Sequence, residues 1–358
     1  MIDIQDLPRP GDAKIERLER AHALFKKRIH LHQLQQLFWE CTLRCNLGCL
    51  HCGSDCRAIP EISDMPLEDF LLVLDDISSV MNPKRILVIT TGGEPLVRKD
   101  ICRCGIAIRE RGFHWGMVSN GWLLDKRMCG LLQDAGLETI AISLDGFRDA
   151  HDWLRGREGS FTKAVTAISN LVNTSLKWDV ITCVNQNNVS SLSKFKNFLI
   201  DLGVKRWRIF SIAPIGRAAN NPALYLDNRY FRELMEFIVS VRKEGKIKLN
   251  YSCEGFLGDY EYEVRDNPFF CQSGINVASI LADGSISGCL SIRSDYHQGN
   301  IYRDSFTNVW SDQFLNYRRR DWMQKGQCVD CDMWKYCHGN GMHLRDNDGN
   351  LLLCNYKK

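Results

Sequence analysis

From residue 37 onward the chain alternates short apolar runs with longer amphipathic segments. The apolar runs predict strands over 37–42, 85–91, 114–119, 139–144, 178–184 and 206–212. Spacing of three and four between apolar positions predicts helices over 67–80, 101–111, 126–134, 161–172, 190–202 and 228–243. Ahead of the first strand, residues 13–36 form a charged stretch punctuated at helical spacing by Leu18, Leu24 and Ile29. Six β-then-α units in succession imply parallel strands joined by right-handed crossovers. Periodicity fits a barrel or a doubly wound open sheet equally well. In both, ligands gather at the carboxyl ends of the strands, so the informative residues lie in the turns that follow them.

After about residue 248 the pattern changes. Strand-like pieces at 278–281 and 285–287 flank Ala282-Asp283-Gly284, a hairpin turn by its Asp-Gly pair. The remainder has little hydrophobic periodicity and is rich in cysteine, a composition that needs metal to hold it together. The expected division is therefore 1–36 as a helical extension, 37–247 as the α/β unit and 248–358 as a cysteine-rich domain.

Composition sharpens this picture mainly through cysteine. A 358-residue chain that is 44% hydrophobic and 25% charged is ordinary folded protein, and a net charge of +3 offers no electrostatic footprint for nucleic acid. No apolar run approaches the roughly 18 residues a membrane span needs, and the first 20 residues are too charged for a signal peptide. A cytoplasmic protein without nucleic-acid or membrane partners is expected. Yet it carries 16 cysteines, which without an export signal point to metal or redox chemistry rather than disulfides. They cluster, five between Cys41 and Cys56 and six between Cys271 and Cys354.

The first cluster follows the first strand as Cys45-Asn-Leu-Gly-Cys49-Leu-His-Cys52. Three thiolates this close can grip three irons of a cubane, which takes four ligands. Cys41 or Cys56 would complete an ordinary electron-transfer cluster; otherwise one iron stays open to a small molecule, and spacing alone leaves both open. Structural zinc is less suited, since it favours paired CxxC knuckles. The other strand ends add Thr91-Gly92-Gly93-Glu94-Pro95, Ser119-Asn120-Gly121 and Ser143-Leu144-Asp145-Gly146. Taken singly these are ordinary turns; together they place a short polar loop with Gly at each of the first four strands.

With these four motifs in order and spacing, residues 37–217 resemble the radical S-adenosylmethionine (SAM) superfamily. The resemblance implies a partial (β/α)6 TIM-type barrel, with Cys45, Cys49 and Cys52 holding a [4Fe–4S] cluster whose open iron is chelated by SAM. It further implies that Gly92, Gly93 and Glu94 accept hydrogen bonds from the SAM ammonium. Ser143, Ser119, Asn120 and Arg155 would serve its carboxylate or ribose, with His51 near the adenine. Ala213-Pro214-Ile215-Gly216-Arg217 looks like the family's adenine-side loop. Cys41, Cys102, Cys104, Cys129 and Cys183 sit in or beside apolar segments and read as small buried hydrophobes. Cys56 lies in a polar loop, and His151 fits a helix surface as well as a site.

The second cluster reads Cys271-x12-Gly284-x4-Cys289, then Cys328-x2-Cys331-x5-Cys337, then Cys354. By ligand count, zinc or a cubane would fit. The pattern resembles the SPASM extension of peptide- and protein-modifying radical SAM enzymes, which carries auxiliary [4Fe–4S] clusters. By that resemblance Cys328, Cys331, Cys337 and Cys354 complete one cluster. The other keeps Cys271 and Cys289, with Cys253 as a candidate third, and lacks its usual cysteine at position 341, which is Gly here. Incomplete cysteine ligation is the expectation, with an open iron, a substitute such as His338, or a smaller or absent cluster as the forms it takes. Leu290 stands where sulfatase-maturating relatives have an Asp, so formylglycine formation is not expected.

The resemblance thus implies an enzyme that cleaves SAM to a 5′-deoxyadenosyl radical and modifies a peptide or protein by crosslinking, thioether formation, oxidation or epimerisation. A low-potential donor such as flavodoxin or ferredoxin would supply electrons. The stretch before the first strand is short for a peptide-recognition domain, so a separate recognition protein is a further expected partner. Cys253 would be a catalytic hydrogen-atom donor if it binds no cluster. The alternatives are the same chemistry on a small molecule and a non-catalytic iron–sulfur electron carrier.

Overall fold

The structure is a computed structural model describing residues 14–292 and 295–357. Its centre, among the described residues, is a ten-stranded sheet in the order β10 (Gly299–Asn300), β9 (Ser285–Ser287), β8 (Val277–Ile280), then β1-β2-β3-β4-β5-β6-β7. The strands β1 (Gln36–Thr42), β2 (Leu87–Gly92), β3 (His114–Ser119), β4 (Thr139–Ser143), β5 (Lys177–Val184), β6 (Arg206–Ser211) and β7 (Lys248–Tyr251) run parallel in sequence order. Between them lie α2 (Leu67–Val80), α3 (Ile101–Glu110), α4 (Lys126–Asp134), α5 (Arg148–Arg155), α6 (Ser160–Val172), α7 (Leu192–Asp201) and α8 (Asn228–Glu244). Parallel strands covered by helices carry apolar side chains on both faces, as in β4, where the successive residues Ile140, Ala141 and Ile142 are all buried. Trp39 stacks on Phe70 of α2 at 4.0 Å. The sheet is an unclosed barrel, with β7 and the β10 edge at its two ends.

The expected hairpin forms from β8 (Val277–Ile280) and β9 (Ser285–Ser287), antiparallel around Asp283-Gly284. It also does something the local pattern does not reveal: β8 pairs parallel with β1, so the cysteine-rich segment continues the barrel sheet. Buried Glu40 of β1 reinforces the join by accepting from the Ala282 N–H at 3.1 Å. At the other edge, β7 adds a seventh parallel strand beyond the six expected. One hydrophobic core therefore spans the expected boundary at 247/248, from Leu37 through Leu249 to Ile280 and Trp310.

The helix predicted over 13–36 is α1 (Lys14–Leu31); residues 1–13 lie outside the described residues. Its buried face docks on the cysteine-rich segment. Phe25 stacks on Phe270 at 4.2 Å, Arg17 lies over the Tyr262 ring, and Glu19 accepts from Lys335 and Tyr336. No helix among the described residues is long and apolar enough to cross a membrane.

Candidate active site

At the carboxyl ends of the strands, Cys45, Cys49, Cys52 and Cys56 line a cavity of about 210 Å3 together with Gly92, Gly93, Glu94, Ser119, Asn120, Ser143, His51, Arg155 and Arg217. The residues expected to hold the cluster and SAM thus reach one cavity, whereas of the expected adenine-side loop 213–217 Arg217 alone lines it. Cys41 does not; it is buried in β1 with its thiol on the Thr91 carbonyl.

The cysteine loop has no regular structure of its own and borrows its hydrogen bonds. The end of α5 leaves carbonyls unsatisfied, and the loop supplies donors: Gly48 N–H to the Arg155 carbonyl at 3.1 Å and Leu50 N–H to that of Leu154 at 2.9 Å. Contact this close requires Gly156, which ends α5 at φ +64; a Cβ there would lie 2.5 Å from the Gly48 oxygen. On the far side, Arg217 donates to the Cys49 and Cys56 carbonyls, and its own N–H donates to that of Cys52.

The paired glycines after β2 are needed for a similar reason. A Cβ on Gly92 would fall 2.3 Å from the Thr42 oxygen, and one on Gly93 only 2.1 Å from that of Arg44. The Gly93 and Glu94 N–H groups donate to these two carbonyls, strapping the turn to the start of the cysteine loop. The buried Glu94 carboxylate then ties β2 to β3. It accepts from the Ser119 hydroxyl at 2.8 Å and the Asn120 N–H at 2.7 Å. Ser119 therefore lines the cavity with its hydroxyl already given to Glu94. Asn120 turns its amide to Asn46 at 2.8 Å and stands 3.9 Å from Cys45 Sγ.

Arg155 is held cationic at the cavity wall. Its Nε donates to Asp145 at 2.5 Å and its Nη1 lies 3.8 Å from Cys49 Sγ. Asp145 is fully buried and also accepts from the Cys183 N–H. Its own N–H donates to His151, which is thereby internal structure rather than helix surface. The motif reading passed over Asp145, although it sits within Ser-Leu-Asp-Gly, and it missed α5 altogether.

The electrostatics follow from burial. Burial pushes Cys45 up to about 12 and raises Cys49 against the Arg155 charge. The Cys56 thiol, by hydrogen bonding, brings Cys52 down to about 6. Burial lifts Glu94 to about 7, and burial with the Arg155 charge drops His51 to about 3, so that imidazole stays neutral. Asp145 is held below the usual carboxylate range: burial opposes this, but the Arg155 guanidinium that donates to it prevails. Three thiols on one loop beside a guanidinium are a donor set that fits an iron–sulfur cluster and an anionic ligand.

The remaining cysteines fall into two groups. Cys337 is within electrostatic reach of Cys354, Cys328 and Cys331, and the Arg345 guanidinium lies 3.4 Å from Cys328 Sγ. Cys253 similarly feels Cys271 and Cys289. Burial disfavours the Cys271 thiolate, yet Arg320 and donors from Met342 and Ser273 bring it to about 7. His338 caps the short helix Trp334–Cys337 at φ 51 and stacks on His22 of α1, with Nε2 3.0 Å from the His22 Nδ1.

Comparison with known proteins agrees with this architecture. The radical SAM superfamily model matches residues 39–199, and the SPASM model, an iron–sulfur cluster-binding domain, matches 271–332. An AdoMet-dependent heme synthase of Nitratidesulfovibrio vulgaris is 25% identical over 89% of this chain and 91% of its own length. The mycofactocin maturase MftC of Mycolicibacterium smegmatis is 29% identical over 86% of this chain and 77% of its own. Among solved structures, Streptococcus suis SuiB bound to its precursor peptide SuiA superposes with a TM-score of 0.68 at 17% identity, covering 92% of this chain and 77% of that one. The chain is a radical SAM superfamily enzyme with a SPASM domain, and SAM and iron–sulfur clusters are its cofactors.

Proposed function

We propose that Cys45, Cys49 and Cys52 hold the SAM-cleaving [4Fe–4S] cluster, that the surrounding strand-end turns hold SAM, and that the enzyme modifies a peptide or protein. The observation carrying the chemistry is the convergence of these thiols with the ends of β2, β3 and β4 on one cavity. When bound, the cluster and SAM supply a 5′-deoxyadenosyl radical that removes a hydrogen atom from substrate. The chain's own residues do the rest. The Gly92-Gly93-Glu94 backbone, strapped to Thr42 and Arg44, stands ready to accept from an ammonium. Arg155, kept cationic by Asp145, offers charge to a carboxylate, and Ser143 stands at the same wall. His51, kept neutral, presents a ring to an adenine. The enclosing loops limit water around a reactive intermediate.

Beyond the barrel, Cys328, Cys331, Cys337 and Cys354 are assigned one auxiliary cluster and Cys253, Cys271 and Cys289 another. A peptide or protein substrate is supported by the SPASM match and by the likeness to a mycofactocin maturase. A small-molecule tetrapyrrole is the second reading, favoured by the heme synthase that matches over nearly its whole length.

The test is 5′-deoxyadenosine formation by anaerobically reconstituted protein with SAM and a low-potential reductant. The Cys45/Cys49/Cys52→Ala triple variant serves as blank. Product from the wild type alone is expected. No product from fully iron-loaded wild type would instead favour an electron carrier. Offering peptides encoded beside the gene, and separately a propionate-bearing iron porphyrin, then separates the substrates by which one changes mass.

A further inference from the structure

The cluster assigned to Cys253, Cys271 and Cys289 is one thiol short of four, and position 341, where the SPASM resemblance implies a fourth, is Gly. That space is filled. A Cβ on Gly341 would lie 2.8 Å from Cε1 and 2.9 Å from Nδ1 of His343, so this imidazole occupies the room a side chain at 341 would need.

The ring is buried beside Glu254. His343 is 8% exposed, and its Nε2 is buried without a hydrogen-bond partner among the described residues. The nearest carboxylate oxygen is Glu254 Oε2, 3.6 Å away and likewise unpartnered. Glu254 directly follows Cys253, and the N–H of Met342, directly before His343, donates to Cys271. Asn340 and Asn355 fasten these segments together. Asn340 Oδ1 accepts from the Phe256 N–H at 3.1 Å and its Nδ2 donates to the Leu353 carbonyl; Asn355 Nδ2 donates to the Glu254 carbonyl. A Cβ on Gly255 would strike Asn340 Oδ1 at 2.3 Å, so 253–256 lies directly against 340–343.

We propose that His343 is the fourth protein ligand of the cluster held by Cys253, Cys271 and Cys289, bound through Nδ1 with Glu254 accepting from Nε2–H. Metal-bound histidines ordinarily give their second ring N–H to a carboxylate, which fixes tautomer and orientation. The site therefore needs Glu254 as much as it needs the ring. Replacing a thiolate by a neutral imidazole leaves a cluster one negative charge poorer, which raises its reduction potential, as histidine ligation does in Rieske centres.

The inference rests on the cluster assignment proposed above, and one experiment separates the two. Holoenzyme is prepared with 15N-labelled histidine, reconstituted and reduced without SAM, so that no SAM nitrogen reaches iron. Electron–nuclear double resonance should show one strongly coupled histidine nitrogen. His343→Cys should abolish that coupling, keep the wild-type iron and sulfide content, and lower the midpoint potential of one cluster. His343→Ala should lose iron from the same site on mild oxidation. If Cys253→Ala and Cys271→Ala keep full iron, the cluster assignment itself falls, and the ligand with it. If those variants lose iron but the wild type shows no histidine coupling, or the coupling survives in His343→Cys, the assignment stands and His343 is only a buried partner of Glu254.

Discussion

Asp145 and Arg155 form a buried ion pair whose guanidinium also faces a cysteine: Nε meets Asp145 Oδ2 at 2.5 Å while Nη1 lies 3.8 Å from Cys49 Sγ. Asp145 is fully buried and Arg155 nearly so, so each depends on the other. Arg155→Ala strands a buried carboxylate and should cost about 3–5 kcal/mol. Adding Asp145→Asn should recover part of the loss, so the double variant is more stable than the sum of the singles predicts. Urea unfolding of the apoprotein reads this cycle; strict additivity would mean the two side chains are not coupled.

Glu94 predicts a pH dependence. Burial raises its folded pKa to about 7 from 4.5, so folding favours its protonated form. Its contribution is full below pH 4.5 and is lost as pH rises through 7, by about 3 kcal/mol for a shift of this size. Glu94→Gln cannot titrate. The stability difference between wild type and this variant should therefore move against the wild type from pH 4.5 to 7 and then level off. The variant should also bind SAM more weakly, because its amide NH2 must face either the Ser119 hydroxyl or the Asn120 N–H, where Glu94 accepts from both. Unfolding at several pH values and calorimetry with SAM check the two halves separately.

Gly156 and Gly159 separate steric contact from backbone strain. Both have positive φ, +64 and +80, so alanine is strained at either. Only at 156 would the Cβ strike something, the Gly48 carbonyl at 2.5 Å; at 159 nothing lies within 4 Å. Gly156→Ala should push the cysteine loop off the end of α5 and lower iron retention at Cys45, Cys49 and Cys52. Gly159→Ala should lose comparable stability and keep its iron. Iron and sulfide assays on both, with the auxiliary sites as internal reference, decide it.

Where the sequence was legible, a local pattern carried the information. Buried parallel strands such as β3 and β4 are short apolar runs, and the turns behind them announce themselves by Gly and polar residues. The helix α5 escaped notice because its buried face is His151, Leu154 and Arg155, two of them polar residues that hide the apolar stripe. The pairing of β8 with β1 depends on register between distant segments, which no local window contains. His343 escaped for the same reason. The expectation named His338 as a substitute ligand, whereas folding brings His343 back against Gly341 and Glu254.

That contrast yields the last prediction. His338 and His343 lie close in sequence and should behave oppositely when removed. His338 packs outward on α1, stacked against His22 at 5.0 Å and hydrogen bonded at 3.0 Å. Losing that ring removes one hydrogen bond, worth about 1 kcal/mol, together with a stacking contact at the edge of the α1 interface. Phe25 on Phe270 and Glu19 with Lys335 would still hold the helix. His338→Ala should therefore speed amide exchange in α1 while leaving iron, sulfide and the reduced cluster spectrum unchanged. His343→Ala should alter the spectrum and leave α1 exchange as it was. Iron loss in His338→Ala with an unchanged spectrum in His343→Ala would reverse the assignment, because ligation must appear in the cluster's own signal while packing against α1 appears only in the helix.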